Sequence, residues 1–116
     1  MELFNISIDI RVVTPSNEDG KLLVFVDELG SFPQFFLSKE TDIEDQMYKK
    51  LSEIFYESDL QVILQTKQIS SINNEDNVLT ILHTFISPST ASKVGSFINF
   101  DKNSLELYRL VNNKSL

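Results

Sequence analysis

The chain opens on a strict alternation. Phe4, Ile6, Ile8, Ile10 and Val12 fall on one side of an extended segment, while Asn5, Ser7, Asp9 and Arg11 fall on the other. Successive strand side chains point to opposite faces, so this period of two predicts a half-buried strand. The stretch from Thr14 to Gly20 carries no apolar side chain except the Pro15 ring and ends in Asp19-Gly20. Such a pair favours chain reversal, which predicts a hairpin with a long loop. Lys21 to Asp27 is continuously apolar through Leu22, Leu23, Val24, Phe25 and Val26. A strand covered on both faces reads this way, so it is expected at the centre of a sheet. Glu28 to Gly30 turn the chain, and Phe32 to Leu37 form a short apolar segment in which Pro33 disfavours helix.

The period then changes. Ile43, Met47, Leu51, Ile54 and Phe55 recur at helical spacing, with Glu44, Asp45, Lys49, Ser52 and Glu53 outside the stripe. Thr41-Asp42-Ile43-Glu44 has the form of a capping box, which places the helix start near Thr41 and turns its apolar face onto the sheet. Leu60 to Gln65 and Val78 to Ile86 read as strands, separated by a stretch that includes the polar turn Asn73-Asn74-Glu75-Asp76-Asn77. Phe97 to Phe100 adds a further strand, and Asp101 caps a last helix that turns Leu107, Leu110 and Val111 inward. The plan is α+β, one domain over residues 1–116.

Composition narrows what such a domain does. A chain of 116 residues buries one core and no more. An apolar share of 41%, with nine Phe, is that of a folded globular protein. No apolar run approaches a membrane span, and Met1-Glu2-Leu3-Phe4 lacks the basic start of a signal peptide, so a soluble intracellular protein is expected. Zero cysteines exclude disulfides, thiolate nucleophiles and cysteine-ligated zinc, and agree with the reducing cytoplasm. A net charge of −7 with only ten Lys and Arg leaves no basic stripe for phosphates, which argues against nucleic acid as a partner.

Residues 32–60, FPQFFLSKETDIEDQMYKKLSEIFYESDL, and the order of elements around them resemble the Nudix family. Its signature is G-x5-E-x7-R-E-U-x-E-E-x-G-U, with U aliphatic, usually preceded by Pro-Gly. Pro33 takes that proline position, and Gln34 and Phe35 stand where the two glycines would be. Thr41 replaces the first glutamate, Lys49 the arginine and Lys50 the next glutamate, Leu51 fills the aliphatic place, and Glu53 matches. Ile54 and Tyr56 replace the last glutamate and glycine, while Glu40 lies one position before the first glutamate's place. The resemblance implies a Nudix-like mixed sheet packed between helices. It also implies a degenerate site, since the family's glutamates gather divalent metal on a pyrophosphate, and such oxygen ligands need negative charge. Lys50 brings a cation and Ile54 removes a carboxylate. Phe35, Thr41, Lys50, Glu53 and Ile54 are then what remains of the pocket, with no metal, cofactor or catalytic residue expected. The same residues also serve an ordinary amphipathic helix, in which Thr41 is only a cap and Glu53 a solvated face residue.

Other chemistry is sparse. His83, the single histidine, sits in an apolar strand, where a structural role is expected over a catalytic one. Asp27-Glu28 and the Asp42, Glu44, Asp45 group flank a turn and a helix start, where acids are favoured anyway. Phe32, Phe35 and Phe36 form an aromatic run that is either core or a partner-facing patch. The expected function is a non-catalytic Nudix-like protein-binding module, an assembly subunit or regulator, with a protein partner and neither nucleic acid nor membrane. The alternatives are a divergent metal-dependent hydrolase of nucleoside diphosphate derivatives and a metal-free ligand sensor.

Overall fold

The structure is a computed structural model that describes residues 5–16, 21–38 and 42–100. Its strands are β1 (Asn5–Pro15), β2 (Leu22–Val26), β3 (Gln34–Phe36), β4 (Gln68–Glu75), β5 (Val78–Ile86) and β6 (Ser96–Asn99), and its helices are α1 (Ile43–Ser52) and α2 (Glu57–Gln65). They form one six-stranded sheet in the order β4-β5-β1-β2-β6, with β3 pairing β1 off that path. The sheet is mixed: β1 and β5 run parallel, and the other pairs are antiparallel. The expected α+β class is what the structure has.

The period of two in β1 sets its register. Ile8, Ile10 and Val12 lie fully buried beside Ile81, His83 and Phe85 of β5. On this face they join Phe25, Met47, Leu51, Ile54, Phe55, Leu60 and Ile63 in one core. Each large side chain so buried contributes about 1.5–3 kcal/mol. The opposite face holds a smaller cluster of Val24, Val26 and Phe32. β1 is covered more fully than half-burial implied: Thr14 continues the buried row of Ile8, Ile10 and Val12, and Ser7 on the second face is buried as well. It is also longer than its alternation suggested. Thr14 and Pro15 pair with Leu23 and Leu22, and the Thr14 hydroxyl donates to the Ser87 carbonyl at 2.8 Å. Proline is tolerated at a strand end. β2 lies between β1 and β6, inside the sheet as its continuous apolar run required.

Two expectations fail between residues 57 and 75. Leu60 to Gln65 belongs to helix α2, not to a strand. Its short apolar run satisfies either period, and the helix wins because Leu60 and Ile63, three apart, both reach the core. The Thr66 hydroxyl then accepts from the Ile86 amide at 2.7 Å, tying the end of α2 to β5. The polar stretch thought to be a turn is mostly strand β4, and only Asp76 and Asn77 reverse the chain, both at positive φ. Two such residues make a type I′ connection, whose twist suits a two-residue hairpin. Helix α1 begins at Ile43 with Asp42 at the N-cap and no side-chain capping bond. Thr41, half of the expected capping box, lies outside the described residues, as do Asp101 and the expected last helix with Leu107, Leu110 and Val111. No described helix is long and apolar enough to cross a membrane.

Candidate functional site

Helix α1 presents two faces. Met47 and Leu51, four apart, are buried against the sheet. Asp45, Lys49 and Glu53 follow one another at the same interval on the other side, flanked by Gln46 and Lys50. Those five side chains, with Phe35 and Ser38 across from them, line an open cleft of about 510 Å³. The far wall is held by Gln46, whose amide donates to the Ser38 carbonyl at 2.9 Å and whose carbonyl accepts from the Ser38 amide at 2.8 Å. This two-way bond fixes the chain leaving β3 against α1. The C-terminal end of α1 is held too. The Lys93 ammonium donates to the Ser52 carbonyl at 3.0 Å, and its backbone amide donates to the Ile54 carbonyl at 2.7 Å. A cation at a helix C-terminus also opposes the negative end of the helix dipole.

Of the residues singled out in the sequence, Phe35, Lys50 and Glu53 come together on the cleft. Ile54 does not, because it packs in the core with Leu51 and Phe55. Thr41 lies outside the described residues. Lys49, at the signature's arginine position, lines the cleft too, and Ser38, Asp45 and Gln46 are lining residues that the signature comparison passed over. The helical interval 45, 49, 53 is a signal that could have found Asp45, and nothing local marks Ser38. The aromatic run is not one patch: Phe32 is buried with Val24 and Val26, Phe35 is half-buried on the cleft, and Phe36 is 62% exposed.

Among the described residues the cleft carries Asp45 and Glu53 against Lys49 and Lys50, whose formal charges cancel. Magnesium takes oxygen ligands, commonly one or two carboxylates with substrate phosphates. Here the ammonium groups of Lys49 and Lys50 offset the charge that Asp45 and Glu53 would offer such an ion. Among the described residues no three His, Asp or Glu side chains gather where they could hold a metal.

His83 sits away from the cleft, in the middle of β5 and only 2% exposed. Its ring stacks near Phe85 with centroids 6.5 Å apart, and its Nδ1 is buried without a hydrogen-bond partner. Burial lowers its pKa from the ordinary 6.5, Lys67 lowers it further, and a hydrogen bond with the Ile81 backbone works the other way. At neutral pH the ring is uncharged, as a histidine packed in a sheet should be. On the helix surface, the Tyr48 hydroxyl donates to the Glu57 carboxylate at 3.2 Å, and this bond raises the pKa of the phenol.

No protein-family model matches the sequence, and no curated protein matches it. Solved structures do. A MutT/Nudix family protein from Enterococcus faecalis superposes with a TM-score of 0.63 at 12% identity, over 88% of this chain. The chain spans 46% of that protein's length. The NUDIX domain of Shewanella oneidensis NrtR, solved with ADP ribose, gives a TM-score of 0.53 at 14% identity over 100% of this chain and 91% of its own. At such identities the likeness establishes the fold, and the fold is Nudix-like.

Proposed function

We propose that this chain is a non-catalytic Nudix-like domain that binds a protein, as an assembly subunit or a regulator. The observation that carries the reading is the charge of the cleft, where, among the described residues, Lys49 and Lys50 stand beside the carboxylates of Asp45 and Glu53. The Ile54 side chain, which replaces a signature glutamate, is committed to the core. With so little negative charge the cleft lacks the means to gather divalent ions on a pyrophosphate. Phe36, largely exposed beside the cleft-lining Phe35, offers an aromatic contact of the kind enriched in protein interfaces.

The test has two arms. The purified protein is expected not to hydrolyse nucleoside diphosphate derivatives with magnesium or manganese, and metal-dependent turnover that disappears in Glu53→Gln would overturn the non-catalytic reading. A protein partner identified by co-purification should lose affinity for Phe36→Ala while that variant keeps its fold. Undiminished binding would remove Phe36 from the contact.

A second reading, a metal-free ligand sensor, is favoured by the cleft volume of about 510 Å³, which lies within the range of small-molecule sites. The similar NrtR domain was solved with ADP ribose, which makes that compound the first probe. A raised melting midpoint with ADP ribose and no metal, lost in Lys50→Glu, would favour the sensor. No shift would remove this ligand from consideration.

A further inference from the structure

The strand β4 lies at the end of the sheet, and every residue from Gln68 to Asn74 is exposed. No described strand pairs with its outer edge. Natural edge strands are usually blunted by charge or proline. This one has neither between Gln68 and Asn74, and it carries Ile69 and Ile72 at 56% and 64% exposure. The irregularity between Ile69 and Ser71 matters here. Ile69 pairs with His83 and Ile72 with Ile81, and both partners belong to the row of β5 that faces the helices. The extra residue therefore brings two isoleucines three apart onto one face, where regular alternation would separate them.

We propose that β4 is a docking edge for a second copy of this chain, paired antiparallel so that Ile72 meets Ile72 of the second copy on a two-fold axis. Residues opposite each other in an antiparallel pair share a face, so a two-fold axis normal to the sheet must pass through a residue and its own copy. With Ile72 on the axis, Ser71 faces Asn73 of the second copy. Beyond the extra residue the register shifts by one, which sets Ile69 opposite Asn74, Gln68 opposite Glu75 and Lys67 opposite Asp76. Charge selects this arrangement. Lys67 marks one end of the strand and Glu75 with Asp76 the other, so antiparallel copies bring cation to acid at both ends of the seam. Parallel copies would set like charge on like. The net charge of −7 opposes self-association in general, yet none of it falls between Gln68 and Asn74. Lys67 now lies 3.6 Å from Glu44 in an exposed pair, and exchanging one exposed partner for another costs little.

The inference stands independently of whether the cleft binds or catalyses. Sedimentation analysis over a concentration series is expected to show a reversible dimer. Ile72→Lys, which sets two ammonium groups together at the axis, should raise the dissociation constant roughly tenfold or more while circular dichroism stays unchanged. The chain has no cysteine, so Ile72→Cys provides a second measurement: mild oxidation should cross-link it to its own copy far faster than Ser58→Cys, an exposed position on α2. A wild-type monomer at every concentration would overturn the proposal. So would a dimer that Ile72→Lys leaves intact, or cross-linking of Ile72→Cys no faster than of Ser58→Cys.

Discussion

β1 and β4 are the two neighbours of β5, hydrogen-bonded to opposite edges of the same strand, and they have different fates. β1 is buried at Ser7, Ile8, Ile10, Val12 and Thr14, whereas β4 has no buried residue. Backbone pairing is common to both, so pairing is not what separates them. The difference lies in what covers each strand. α1 and α2 lay Met47, Leu51, Leu60 and Ile63 over β1 and one row of β5, and that cover does not reach Ile69 and Ile72. A strand acquires a core role from the apolar surface laid on it, and a strand left uncovered is free to make contacts outward.

The largest expected effects break the covered side. Ile10→Ala or Leu51→Ala should cost about 2–5 kcal/mol in chemical denaturation, since each deletes fully buried methyl groups and leaves a cavity. A loss below 1 kcal/mol at both would mean that the helices do not press on β1 as described. Next comes Gly95, held at φ +68, where an added Cβ would run into the Val26 carbonyl oxygen and the Phe25 ring. Gly95→Ala should cost about 1–3 kcal/mol through backbone strain and this clash, loosening β6 from β2. An unchanged melting midpoint would show that the turn relaxes.

A subtler effect concerns His83, which sits on the border between the two regions, paired with Ile10 on one side and Ile69 on the other. Its folded pKa lies below the unfolded value near 6.5. Below that value the unfolded chain binds a proton that the folded chain refuses, so stability falls as pH drops from 6.5 through the lowered folded pKa, and His83 adds no slope above it. Thermal melts of wild type and His83→Gln across this window should differ in slope, and identical slopes would remove the histidine as the cause. Smallest of all, Lys49→Ala on the outer face of α1 and Ile72→Thr on β4, compared at a concentration low enough to hold the monomer, should each stay within about 0.5 kcal/mol of wild type. If Lys49→Ala proved as damaging as Leu51→Ala, the helix register would be wrong. A large loss at Ile72 would place β4 in the core.

Legibility in the sequence followed the strength of the local period. β1, β2, β5 and β6 announced themselves by alternation or by unbroken apolar runs, and the inward stripe of α1 by its spacing. Leu60 to Gln65 was misread because a short apolar run serves a strand and a helix equally well. β4 escaped because Gln-Ile-Ser-Ser-Ile-Asn-Asn-Glu alternates only once its extra residue is allowed for. At the cleft, Phe35, Lys50 and Glu53 were found through the Nudix register. Ser38 was not, since it joins the wall through Gln46, eight residues away.

What the sequence determined alone is therefore the class of fold and the inward face of α1, because each is written in neighbouring residues. The helical state of 57–65, the exposure of β4 and the split of Phe32, Phe35 and Phe36 among core, cleft and surface were decided by tertiary packing. Each depends on which distant apolar surface reaches the residue, and a local pattern carries no record of that distance.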